Sequence, residues 1–168
     1  MSAISDLGHA DQHLLNAAEG WLGLKDAQSA TEELDAMSAA GQAHPKVLKL
    51  RWWLHTLDRK WEPAAEVAER LTRLLPDDPE GWLHYSFALH EMRRTEQARE
   101  YLLRVVDRFP AEGTMHYNLA CYECRLGNLD EARRWLKRAF ASGDGPMLKA
   151  NALADSDLEA LWPEICGS

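Results

Sequence analysis

The segment TEQAREYLLRVVDRFP (residues 95–110) has two counterparts in the same chain, EPAAEVAERLTRLLP (62–76) and NLDEARRWLKRAFASGD (128–144). In each, an alanine is followed four residues later by an apolar or small residue, and three residues after that by another. The alanines are Ala64, Ala98 and Ala132, and both steps between them are 34 residues long. The same step joins Ala68, Leu102 and Leu136, and again Leu71, Val105 and Ala139. Pro76 and Pro110 close two of the segments at that spacing, and one further step back reaches Ala30, Leu34 and Met37. Apolar positions at i, i+4 and i+7 make one face of an α-helix. A pattern that returns after 34 residues makes that helix part of a repeated unit, and a short helix pair buries its apolar face only by stacking on its neighbours.

Composition agrees. Ala, Leu, Glu and Arg dominate over Val, Ile and Thr, which is a helix-forming alphabet. No segment alternates as a strand does, so the expectation is an all-α protein. With 168 residues, 46% of them hydrophobic and 27% charged, the chain is of ordinary globular make-up and long enough for a sizeable core. The formal net charge of −8 opposes phosphate backbones, so nucleic acid is not expected as a partner. No apolar run reaches the ~18–20 residues of a membrane span. The N-terminus, MSAISDLGHADQHLL, lacks a basic region followed by an apolar core. Three cysteines do not make a disulfide framework. These readings point to a cytoplasmic chain with no membrane partner.

The 34-residue pattern resembles the tetratricopeptide repeat (TPR). Units counted from Asp11, Pro45, Pro79 and Gly113 place Trp82 at that family's Trp position, with Leu14, Leu48 and His116 in the other units. Ala18, Ser86 and Ala120 supply the small residue where helices cross; Trp52 breaks that rule. Gly127 is the inter-helix glycine, and Lys25, Arg59 and Arg93 stand in its place elsewhere. The resemblance implies a right-handed superhelical solenoid of antiparallel helix pairs. Its parts would be a lead-in at 1–10, four pairs at 11–44, 45–78, 79–112 and 113–144, and a capping segment at 145–168. Helices are expected near 10–24, 27–41, 46–57, 61–75, 80–92, 95–109, 113–126 and 129–142. Asn128 and Glu131 have N-capping spacing, as do Ser156 and Glu159. In the cap, a short helix near 147–153 and a second one ending before Pro163 would tuck Leu153, Leu158, Leu161 and Trp162 against the fourth pair.

Two motifs carry possible chemistry. CYEC (121–124) places Cys121 and Cys124 on one helix face, a spacing shared by zinc sites, redox dithiols and plain helix packing. They lie past the first turn of their helix, with Glu123 between them, which opposes a reactive thiolate. Zinc would need two further ligands, and the remaining cysteine is Cys166 near the C-terminus. His9 and His13 are four apart, a spacing that can hold a metal, but without a third ligand nearby in sequence and with His9 in the lead-in. No metal or cofactor is expected. No nucleophile–base pair or phosphate loop appears, so the chain is not expected to be an enzyme.

In the TPR family the first helices of successive pairs line a concave groove. The resemblance places Lys49, Trp53, His84, Phe87, His90, Tyr117, Asn118, Cys121 and Arg125 there. Trp53 and Phe87 would form part of an aromatic stripe, and aromatics and arginine anchor interfaces. The two-carboxylate clamp that holds chaperone tails in some TPR domains is matched only by Lys49, so that clamp is excluded. The leading expectation is a protein–protein interaction module. It would be an adaptor or small chaperone taking a peptide or partner helix, with a bacterial secretion-type chaperone as a narrower version. The alternative is a metal-binding or redox protein using Cys121, Cys124 and histidines. Neither partner identity nor oligomeric state is readable.

Overall fold

The computed structural model describes residues 6–167. It is all-α, with no strand among those residues. The chain falls into two compact units, Met1–Gly81 and Trp82–Ser168.

The N-terminal unit contains α1 (His9–Gly23), α2 (Ala27–Asp35), the short α3 (Ala39–Gln42), α4 (Pro45–Leu57) and α5 (Trp61–Leu74). α1 packs on α2, α4 on α5, and α2 on α4. Leu15, Ala18, Ala30, Leu34, Val47, Leu50 and Leu54 form a core shared by α1, α2 and α4. The continuous second helix expected at 27–41 is broken here. Asp11 of α1, buried, accepts hydrogen bonds from both the backbone N–H and the hydroxyl of Ser38. Ser38 in turn caps α3 by accepting from Gly41 N–H. A Cβ at Gly41 would lie 2.5 Å from the Asp11 carboxylate, so only glycine fits against it. α1 also starts at His9, inside the expected lead-in, and His9 and His13 are exposed on it with their rings edge to face at 5.5 Å.

α6 (Pro79–Glu91) leads into the C-terminal unit, which continues with α7 (Thr95–Leu103), α8 (Gly113–Arg125), α9 (Leu129–Phe140), α10 (Gly145–Ala152) and α11 (Trp162–Cys166). α7 stops six residues short of expectation. The β-branched pair Val105-Val106 and the restriction that Pro110 places on Phe109 convert its last turn to a 3-10 helix, Val106–Arg108. α8 packs on α7 and α9. Ala98, Leu102, Ala120, Ala132 and Leu136 are buried where these helices meet. A second 3-10 segment, Ser156–Leu161, packs on α8, and α10 on α9.

Leu158 and Leu161 are core residues as expected, and Leu148 and Ile165 join them. The tail departs from expectation in three details. Leu153, expected to be tucked in, is 41% exposed. Pro163 does not end a helix; it sits in the first turn of α11, where its missing N–H costs nothing. Asp155, not Ser156, caps the 3-10 segment by accepting from Asp157 N–H. Asn128 likewise makes no cap hydrogen bond; its amide instead donates to the buried Glu123 at 2.7 Å.

The turns inside the helix pairs are uniform. Lys25, Arg59, Arg93 and Gly127 all have positive φ, at 63°, 54°, 64° and 84°. The backbone keeps one left-handed turn at each 34-residue step, whether or not glycine occupies it.

Candidate functional site

The residues expected to line a groove lie on α4, α6 and α8, and their surroundings differ between the two units. In the N-terminal unit, Trp53 of α4 is 52% exposed, with its ring edge-on to the buried Trp52 at 5.2 Å. Trp52 takes the place of the expected small residue and supports Trp53 from below. Leu57, one turn on, is also exposed. Lys49 is engaged: its ammonium pairs with Asp78 at 2.8 Å and also with Glu80. Burial opposes its charge, but the hydrogen bonds to both carboxylates together hold its pKa above the ordinary lysine value.

In the C-terminal unit, His84, Phe87 and Asn118 are half-buried on α6 and α8. His90, Tyr117, Cys121 and Arg125 converge on one segment of the chain's own tail. The Tyr117 hydroxyl donates to Asp155 Oδ2 at 2.8 Å, and the Cys121 thiol points to the same oxygen at 3.6 Å. His90 Nε2 lies 2.7 Å from Asp157 Oδ2, and His90 Nδ1 lies 3.0 Å from the Thr95 hydroxyl. A carboxylate only accepts, so Nε2 carries the proton in that contact. Arg125 Nε is 3.5 Å from the other Asp157 oxygen, with its side chain 47% exposed. The hydrogen bond from His90, then the charges of His90, Arg125 and Arg93, hold the Asp157 carboxyl below the usual aspartate value despite burial.

The same carboxylates settle the electrostatics of the cysteine pair. Burial, then Asp155 and Asp157, pushes the Cys121 thiol well up, and burial and Asp157 push Cys124 up. That is opposite to what a nucleophilic or metal-ligating thiolate needs. Among the described residues no group of three or more His, Cys, Asp or Glu side chains is arranged to hold a metal ion. Tyr117 is shifted up as well, chiefly by burial, so it serves as a neutral donor.

His116, at the family's Trp position, is buried with neither ring nitrogen hydrogen-bonded, its ring stacked 5.7 Å from that of Trp135. Burial and then the Arg138 charge lower its pKa, so the neutral ring packs like an aromatic hydrocarbon.

Sequence reasoning missed Asp155 and Asp157. Their partners lie 32–67 residues away, and the only signal was the acidic run ADSD (154–157) inside a stretch read as apolar cap.

No helix among the described residues is long and apolar enough to cross a membrane. Neither a protein-family model nor a curated protein sequence matches the chain. Among solved structures it is similar to MamA. One crystal structure of MamA superposes with a TM-score of 0.70 at 14% identity, over 84% of this chain and 81% of that one. A double mutant of MamA RS-1 gives 0.69 at 17% identity, over 86% and 78%. MamA MSR-1 gives 0.66 at 17% identity, over 90% and 82%. At such identities the likeness shows the fold, and it places the chain in the all-α solenoid class of TPR-like helix pairs.

Proposed function

We propose that this chain is a non-enzymatic protein-interaction module, an adaptor or small chaperone, whose first helices bind a peptide or partner helix on their concave faces. The four helix pairs counted from Asp11, Pro45, Pro79 and Gly113 would supply those faces. One observation carries the reading. In the C-terminal unit, His90, Tyr117, Cys121 and Arg125 already hold a short non-helical-to-3-10 segment by side-chain contacts to its carboxylates. That is peptide recognition performed within one chain. In the N-terminal unit, the exposed Trp53 and Leu57 offer the rigid apolar area from which interfaces draw most of their energy. Asn118 adds an amide able to donate and accept along a peptide backbone.

The test is affinity selection of random dodecapeptides on the immobilised full chain. The expected result is an enriched set whose binding falls on Trp53→Ala or Asn118→Ala, in variants with unchanged melting. Enrichment no better than on an unrelated helical protein would overturn the reading.

A further inference from the structure

Arg125, which contacts Asp157, also lines a cleft of about 500 Å³ together with Arg93, Arg94, Glu96 and Gln97, among others. It is unusual ground for a chain of net charge −8. Arg93 and Arg94 are exposed and make no ion pair with any described residue; Arg94 bonds only the neutral Gln97, at 2.7 Å. Arg125 reaches Asp157 across a long 3.5 Å contact. Three guanidinium groups therefore surround one cleft, opposed by the single lining carboxylate of Glu96. The chain holds them close by construction. Arg93 occupies the left-handed turn between α6 and α7, Arg94 is the next residue, and Arg125 ends α8. Arg94 is also the N-cap position of α7 and makes no side-chain cap hydrogen bond, so the positive end of that helix opens toward the same place.

The tail shows what this ground binds. Asp157, held by His90, pairs with Arg125 and is attracted by Arg93, two of the residues that line the cleft. Asp155, two residues earlier, is held by Tyr117. Leu158 follows directly and is fully buried, so the tail is fixed in place and its carboxylates do not line the cleft itself. We propose that the Arg93–Arg94–Arg125 cleft is a docking site for an acidic peptide segment of a partner protein, with carboxylates on alternate residues, extending the carboxylate row that Asp155 and Asp157 begin. Guanidinium forks pair with carboxylates in well-defined geometry, which gives such a site selectivity for acidic over neutral or basic segments. Asp157 competes with the partner for Arg125 and so sets the affinity. The inference rests on the peptide-binding reading above and adds the chemistry of the partner.

The experiment uses the full chain and three fluorescein-labelled octapeptides: Gly-Ala-Asp-Ser-Asp-Ser-Asp-Gly, its counterpart with Asn for Asp, and its counterpart with Lys for Asp. Fluorescence anisotropy is expected to show the acidic peptide binding at least tenfold tighter than the other two, with affinity falling as salt is raised. The double variant Arg93→Asn, Arg94→Gln, in which asparagine preserves the left-handed turn, should lose at least tenfold in affinity while melting normally. Asp157→Asn should gain severalfold, because it releases Arg125. Equal binding of all three peptides would overturn the proposal, as would a folded double variant that binds like the parent. Absence of acidic-peptide binding would overturn it too. Random-peptide enrichment that depends on Trp53 would then still stand, so the two readings fail separately.

Discussion

His90 Nε2 and Asp157 Oδ2 stand 2.7 Å apart, across 67 residues of sequence. The contact ties the last turn of α6 to the beginning of the tail's 3-10 segment, with the side chains only 11% and 25% exposed. A second hydrogen bond fixes the imidazole from the far side through Thr95, and the ring lies 4.9 Å from that of the buried Tyr122. The pair is thus held by packing as well as by charge. Its neighbour Asp155 joins the same tail segment to α8 through Tyr117. Between them these two aspartates position the 3-10 segment that packs on α8, while Leu158 and Leu161 provide the apolar anchoring.

Asp157→Asn keeps the size of the side chain but removes its charge. Hydrogen bonds to charged groups contribute about 1.5–3 kcal/mol, and the loss of stability should lie in that range. Urea denaturation checks it, with Ser156→Ala, an exposed neighbour, as the control expected to change little. A loss no larger than the control's would mean that the leucines alone hold the tail.

The direction of the Asp157 shift also fixes a pH dependence. Its folded pKa is depressed below the unfolded aspartate value of about 3.9. The stabilisation is therefore complete above the unfolded value and is lost as the pH falls through the lower folded value. The stability difference between the parent and Asp157→Asn should shrink as the pH falls below about 4. Denaturant titrations at a series of pH values measure it. A difference that grows on acidification would reverse the assignment.

Lys25, like Arg59 and Arg93, takes a backbone conformation that glycine adopts freely at the equivalent Gly127. A left-handed residue with a Cβ carries a penalty of roughly 1–2 kcal/mol. Lys25→Gly should accordingly leave stability unchanged or raise it by up to about 1 kcal/mol, after the extra unfolded-state entropy of glycine is counted. Gly127→Ala should cost about 1 kcal/mol or more, although nothing lies within 4 Å of its added Cβ. Thermal melts of the two variants, moving in opposite directions, would isolate the backbone effect from packing.

The helix pairing was legible in sequence because it is written in short-range periodicity. Ala98 and Ala132 are fully buried, as their 34-residue register implies. The left-handed turns were half legible: Gly127 signalled one, while Lys25, Arg59 and Arg93 showed only as departures from glycine. What could not be read is what depends on distant carboxylates. Asp11 breaks the second helix through Ser38, 27 residues on, and no local pattern announces that. Asp155 and Asp157 meet α6 and α8 only once the tail has folded back. Of the positions that the TPR resemblance assigned to a groove, His90 on α6 and Tyr117, Cys121 and Arg125 on α8 contact the tail instead.

Overpacking tests the register directly. Ala98→Leu and Ala132→Leu place extra methylenes where helix backbones approach, with no exposed surface to absorb them. Each should cost about 1–3 kcal/mol. A variant that melts within a degree or two of the parent would place these alanines away from a helix crossing.

Trp53 and Tyr117 stood side by side in sequence reasoning as groove anchors, and the structure separates them. Trp53 is 52% exposed, whereas Tyr117 is 8% exposed and committed to Asp155. Trp53→Ala should thus change stability by well under the cost of a buried aromatic, and act on binding to selected peptides by roughly 2 kcal/mol, as truncation of an anchor does. Tyr117→Ala should cost about 3–5 kcal/mol in stability, since it leaves a core void and strips Asp155 of its donor. Tyr117→Phe divides that effect: the ring keeps its packing, and the remaining loss reports the hydroxyl alone, about 1.5–3 kcal/mol for a hydrogen bond to a charged acceptor. Denaturation and peptide titration on the same three variants give the two quantities independently. If Trp53→Ala unfolds the chain as readily as Tyr117→Ala, the exposed tryptophan is a structural element and the N-terminal unit loses its anchor for a partner.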